Sequence, residues 1–230
     1  MGNEKRQFVN FYFLKLDPAY RRLPAQEQET GKREFLAAVE EFSSKVMVVP
    51  YSTVGIRAEV DIMLWRISYE LESFQDMTVK MLSTGLGKYM NVPYSYLAMT
   101  KRSTYVDKHT HEGQESKRLT IVPGEAKYLF IYPFVKTREW YLLTKAARQG
   151  MMNEHIRIGH EFPTVRQVLV YSTGLDDQEF IVSYETDDLE SFQQLVIALR
   201  DTEARRYTLR DTPIFTCVYR PLPETLGLLG

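Results

Sequence analysis

The sequence predicts an α+β protein made of two tandem copies of one βαββαβ unit, and three observations carry this expectation. Tyr51-Ser52-Thr53 recurs as Tyr171-Ser172-Thr173, and Leu71-Glu72-Ser73-Phe74-Gln75 recurs as Leu189-Glu190-Ser191-Phe192-Gln193, each about 120 residues later, the mark of an internal repeat. The second spacing also pairs Tyr89 with Tyr207 and brings Asn91-Val92-Pro93 near Asp211-Thr212-Pro213, ahead of a closing apolar strand in both halves. Matching helical stripes complete the pattern: Leu71, Phe74, Met77 or Thr78, and Met81 in one half, and Leu189, Phe192, Leu195 or Val196, and Leu199 in the other.

In the first half, the residue pattern predicts a strand over about 7–14, a helix over about 27–45, strands near 46–55 and 59–68, a helix over about 71–84 and a strand over about 93–100. The second half repeats this order, with a strand over about 127–134, a helix from Thr144 to His160, strands over about 165–173 and 179–186, a helix over about 189–203 and a strand over about 213–219. Two helices lying on one antiparallel sheet make a ferredoxin-like unit. Packing the bare sheet face of one copy against that of the other gives tandem ferredoxin-like repeats, a dimeric α+β barrel formed within one chain. The expected parts are a first repeat over 1–100, a polar linker loop over 101–125 and a second repeat over 126–230.

Composition narrows the function classes. A net charge of −1, with Lys and Arg spread along the chain, does not suit a coat for nucleic acid or an anionic membrane. The N-terminal segment shows neither a signal peptide nor a membrane span, so a cytoplasmic protein is expected. The single cysteine, Cys217, lies in an apolar run that reads as a buried strand, and no intrachain disulfide is possible.

Four histidines are present. His109 and His111 lie in the polar join, where a solvated loop is the expected setting and no third metal ligand is evident nearby. His155 differs, because Ala147, Met151, Ile158 and Phe162 share its helical stripe and turn the imidazole inward. Such a position serves either a satisfied core histidine or an axial ligand to haem iron, which needs a neutral imidazole in an apolar surround. Glu203 is either a partner for the other imidazole nitrogen or a helix-end carboxylate in water. The run from Tyr132 to Tyr141 mixes aromatic groups with Lys136 and Arg138, and core packing does not explain the cations. A tyrosine beside an oxidising metal centre can relay one electron, and Lys and Arg bind carboxylates, a combination suited to a porphyrin with propionates.

Tyr132-Pro-Phe-Val-Lys136 with Trp140-Tyr141, then Gly150-Met-Met-Asn-Glu-His155, then Ser172-Thr-Gly-Leu-Asp-Asp-Gln-Glu-Phe180 together resemble the chlorite dismutase superfamily. The similarity continues through Leu199-Arg-Asp-Thr-Glu203 to Pro213. The resemblance implies haem or coproheme bound in the second half, His155 as the iron ligand, and a homopentamer. It places Gln167 at the position where chlorite dismutases carry an arginine that holds the chlorite anion. It matches Tyr132 and Lys136 to the reactive tyrosine and lysine of the coproheme decarboxylases, and Arg118 and Arg200 to arginines that bind propionates, with Trp140 lining the pocket. Phe134-Val135 and Thr120 depart from the commonest decarboxylase pattern.

The implied reaction is hydrogen-peroxide-dependent oxidative decarboxylation of iron coproporphyrin III (coproheme) to haem b. In it, Tyr132 gives up an electron and a proton, and its radical takes hydrogen from a propionate, releasing carbon dioxide. Substrate and cofactor are then one molecule. The alternatives are a chlorite-decomposing enzyme and a non-catalytic haem-binding protein.

Overall fold

A computed structural model describes residues 5–103, 105 and 119–230, which fall into two compact units, one of residues up to Met99 joined by Thr216–Gly230, the other Thr100–Phe215. The first unit runs β1 (Phe8–Leu16), α1 (Ala25–Glu40), β2 (Val46–Ser52), β3 (Ile62–Ser68), α2 (Glu72–Leu82) and β4 (Met90–Met99). Both neighbours of β1 are antiparallel to it: Phe11 faces Trp65 of β3 on one side and Tyr96 of β4 on the other, and Val49 of β2 faces Trp65. The resulting order β4-β1-β3-β2 is the ferredoxin-like arrangement that the βαββαβ pattern predicts.

The first helix stops short of its expected end. Ser43 and Ser44 are weak helix formers, and the chain leaves α1 through a turn in which the Val46 N–H donates to the Phe42 carbonyl at 2.8 Å. On the inward face, α1 buries Gly31, Phe35, Ala38 and Val39 against Leu14, Leu64 and Met77.

In the second unit, β5 (Tyr128–Lys136), β6 (Arg166–Tyr171) and β7 (Phe180–Thr186) form the sheet, with α4 (Lys145–His160) and α5 (Leu189–Arg200) on it; the short α3 (Arg138–Leu142) follows β5. Strand β7 is central, pairing Tyr184 with Phe130 of β5 and with Gln167 of β6. A short β8 (Thr208–Arg210) runs beside the end of β5. Gly174 ends the β6 hairpin with a φ of 79°, and Gly55 does the same after β2 with a φ of 74°, so both copies turn on a residue free to adopt the left-handed region.

The last part of the chain departs from the expected boundary. Residues 126–230 were expected to form the second repeat, yet Thr216–Gly230 packs with the first unit. Strand β9 (Phe215–Tyr219) sets Tyr219 opposite Tyr51, and α6 (Leu222–Gly227) and the residues after it bury Leu222, Leu226 and Leu229 in the core around Leu14 and Phe35. Burial of three leucines against an existing apolar cluster accounts for this placement. Cys217 is buried in β9 as expected, and its burial pushes the thiol well above its ordinary range, leaving it unreactive.

The second core is smaller: Phe130, Val182, Tyr184, Phe192 and Leu195. Phe130 and Phe192 stack with ring centroids 3.6 Å apart, tying sheet to α5. Phe130→Ala is expected to destabilise the chain by about 3–5 kcal/mol, read from urea unfolding of the variant beside the parent. Among the described residues, no helix is long and apolar enough to cross a membrane.

Candidate functional site

The two copies treat their first long helix differently. Helix α1 buries four residues, whereas its counterpart α4 buries none. At the spacing set by Tyr51 and Tyr171, His155 corresponds to Phe35, which is fully enclosed in the first core. Along α4, Met151, Met152, Ile156 and Ile158 are all half-buried, so a helix carrying apolar groups leaves them partly uncovered. Such a surface is stable when a flat apolar ligand covers it.

His155 is half-buried on this helix. Burial, and next the Lys136 ammonium, hold its pKa down at about 4, against a smaller opposing pull from Glu154. The imidazole is therefore neutral at physiological pH, with a lone pair free to bind a metal ion. An imidazole ordinarily titrates near 6.5, so between there and about 4 the unfolded chain holds a proton that the folded chain does not. Folded-state stability is expected to fall as the pH drops through that window, and histidine NMR titration of the porphyrin-free chain should show one imidazole still neutral at pH 5. His155→Gln should flatten that part of the stability profile.

Tyr132, Phe134 and Lys136 alternate onto the helix-covered face of β5, and the register places Gln167 on the same face through its neighbour Tyr184. Tyr132 is half-buried with its ring 6.3 Å from that of Tyr184; burial first, then the neighbouring Tyr184, pushes its pKa well up, so it is a neutral phenol. The charges of Asp211 and Arg200 also act on it. Arg200 ends α5 with its guanidinium 3.9 Å from the Asp211 carboxylate, which lies 2.6 Å from Arg205.

Lys136 sits at the end of β5 with its Nζ 4.4 Å over the Trp140 ring, and donates to the Ala204 carbonyl at 3.3 Å. Burial, and then Arg205, lower its pKa to about 8, while Glu179 opposes the shift. Trp140 is buried in α3 between Tyr105 and Tyr207, at 6.4 and 5.7 Å. Glu179, which the sequence reading did not single out, fixes this corner: its carboxylate accepts from the Lys136 N–H at 2.7 Å, and its charge adds to burial in raising the pKa of Tyr141.

Arg166 and Gln167 point to opposite faces. Arg166 pairs with the Glu185 carboxylate at 3.0 Å and donates to the Val122 carbonyl at 2.6 Å, so it does not reach the face that carries Gln167 and Tyr132. Glu203 is placed differently from the expectation that it ends the second helix. Helix α5 stops at Arg200, the Thr202 hydroxyl donates to the Leu199 carbonyl, and Glu203 opens a separate 3-10 turn. Its carboxylate is exposed and meets Arg206 at 3.5 Å, while its N–H donates to Glu154 on the helix of His155. Arg118, His109 and His111 lie outside the described residues. Among the described residues, no three His, Cys, Asp or Glu side chains come together to hold a bare metal ion.

The site therefore unites His155, Tyr132, Lys136, Trp140, Gln167 and Arg200 within the second unit. A neutral imidazole, partly uncovered apolar groups, a protonated phenol and nearby cations are the donor set that an iron porphyrin with carboxylate arms requires, and in that sense the residues fit one.

The fold is a tandem ferredoxin-like α+β protein with the candidate site in its second copy. Residues 28–220 match the family described as Chlorite dismutase. The chain is 30% identical over 206 residues to a chlorite dismutase of Ideonella dechloratans, covering 88% of this chain and 72% of the relative. It is 32% identical over 170 residues to a coproheme decarboxylase of Mycolicibacterium smegmatis, covering 72% of this chain and 70% of the relative. A variant of the chlorite dismutase from Candidatus Nitrospira defluvii superposes with a TM-score of 0.88 at 28% identity, over 98% of this chain and 95% of that one. The chain belongs to the chlorite dismutase family, whose members are haem-dependent enzymes of oxidoreductase type.

Proposed function

We propose that this chain binds iron coproporphyrin III on His155 and converts it to haem b by peroxide-dependent oxidative decarboxylation, the activity class named for its Mycolicibacterium relative. The observation that carries the choice within the family is the pairing of an uncharged Gln167 with an Arg166 held on the other sheet face by Glu185. A site without a cation at that position lacks the group that holds an anionic oxidant in place.

The bound iron porphyrin supplies one-electron oxidising power once peroxide has reacted with it. His155 provides the lone pair that anchors the pigment, and its low pKa keeps that lone pair free. Tyr132 would give up one electron and its phenolic proton, and its oxygen would then take a hydrogen atom from a propionate; as carbon dioxide leaves and the vinyl double bond forms, the second electron would pass to the oxidised porphyrin. Because burial keeps Tyr132 protonated, the hydrogen atom is present when it is needed. Arg200 and Lys136, with Arg118, hold carboxylates through charge-assisted contacts, and Trp140 closes the edge beside Lys136.

Chlorite decomposition is the second reading, favoured by the longer match to the Ideonella chlorite dismutase. The deciding experiment loads the chain with iron coproporphyrin III, adds hydrogen peroxide stepwise and follows the pigment by mass spectrometry. Successive loss of two carboxyl groups supports decarboxylation. An unchanged pigment, with oxygen released from chlorite by the haem-loaded chain, selects the second reading.

A further inference from the structure

Asp211 follows β8, whose pairing with Val135 and Lys136 sets it beside the end of β5. One of its oxygens, Oδ2, is shared by two guanidiniums, that of Arg205 at 2.6 Å and that of Arg200 at 3.9 Å. Arg205 has no part in the proposed reaction. Arg200 is exposed, and at 3.9 Å it forms an ion pair without a hydrogen bond, so its guanidinium keeps its donors unused among the described residues. Arg205 is half-buried and spends one N–H on Asp211, with others to spare. Lys136 lies close enough for the Arg205 charge to lower its pKa, so three cations meet here against two carboxylates, Asp211 and Glu179. An arriving anion relieves such an excess of like charge.

The first copy shows that the fold requires neither arginine. Both copies follow their second helix with a 3-10 turn that closes on a tyrosine, Gly87–Tyr89 in one and Glu203–Tyr207 in the other. By the spacing that pairs Tyr89 with Tyr207, Arg200 falls on Leu82 and Arg205 on Gly87. Leu82 packs against the first core, and a side chain on Gly87 would run into the Met81 carbonyl and the Leu82 backbone. The turn closes over apolar packing in the first copy and carries two cations in the second.

We propose that Arg205 is a further substrate-binding residue, paired with Arg200 by Asp211 into one subsite for a porphyrin carboxylate. This rests on the reading that the second unit binds an iron porphyrin with carboxylate arms. A guanidinium presents donors on more than one edge, so Arg205 can keep Asp211 on one edge and offer another to the ligand. Asp211 is a positioning residue: its charge holds two mutually repelling cations in place before the ligand arrives.

Absorbance titrations with iron coproporphyrin III and with its tetramethyl ester, which keeps the ring and loses the charges, test the subsite. The parent is expected to bind the acid more tightly than the ester. Arg205→Met is expected to lose at least about tenfold in affinity for the acid and to bind the ester as the parent does, with Arg205→Gln giving the same loss. Asp211→Ala should lower affinity for the acid in the parent but not in Arg205→Met, since its short contact is to Arg205. Arg205 variants that keep the parent's preference, or that weaken acid and ester alike, overturn the subsite and leave the porphyrin reading in place. An equal loss from Asp211→Ala in both backgrounds overturns its positioning role, and a parent indifferent to the ester overturns both readings.

Discussion

Alanine in place of His155 is expected to lower affinity for iron coproporphyrin III by at least about a hundredfold, because the change removes the iron ligand itself and not just a group that supports it. The rest of the surface remains. Met151, Ile158 and the cations near Tyr132 still attract the pigment through apolar contact and charge, so residual weak binding should persist with an altered Soret band. Because α4 buries no residue, the truncation opens no core cavity and should leave the unfolding midpoint of the porphyrin-free chain nearly unchanged. That combination separates a ligand from a core histidine, whose loss shows in stability. Titration of the variant with pigment, followed by absorbance, beside thermal unfolding of the empty chain, reads both quantities.

Tyr132→Phe should act in the opposite sense, leaving binding intact and stopping the reaction. The hydroxyl contributes a transferable hydrogen atom, and the ring keeps its place on β5 opposite Val182. Loss of a group that moves a proton and an electron in the slow step is expected to reduce turnover by about 10²–10⁴-fold, with the pigment dissociation constant changed less than about threefold. The check is the rate of pigment mass change under fixed peroxide. A variant that decarboxylates at the parental rate removes Tyr132 from the mechanism.

Much of the fold was legible because repeats leave marks that survive divergence. The Tyr-Ser-Thr and Leu-Glu-Ser-Phe-Gln echoes fixed the two-copy order, and the helical stripes through Phe74 and Phe192 located the faces that the structure buries. The destination of the C-terminal segment was not legible. Leu222, Leu226 and Leu229 announce an apolar face but not which core receives it, since that depends on contacts distant in sequence. The end of α5 was misjudged at Glu203 because an apolar stripe does not reveal the Thr202 hydroxyl bonding back to Leu199.

The site divides in the same way. Helical periodicity turned His155 inward, and strand alternation separated Arg166 from Gln167 correctly. The residues that surround Lys136 were not legible: its ammonium rests over Trp140 within electrostatic reach of His155, an arrangement that the fold of α3 against the Glu203–Tyr207 turn produces. Tyr184 was read as one more strand residue. The signal was present, since alternation from Phe180 puts Val182 and Tyr184 on one face, but nothing in the sequence gives the register that brings Tyr184 to Tyr132.

The most direct measurement is resonance Raman spectroscopy of the ferrous coproheme complex made with ordinary and with ¹⁵N-histidine-labelled chain. A low-frequency iron–nitrogen stretch that moves on labelling, and disappears in His155→Ala, is the predicted result. A spectrum indifferent to the label would contradict the claim that this imidazole holds the iron, and with it the assignment of the second unit as the site of chemistry.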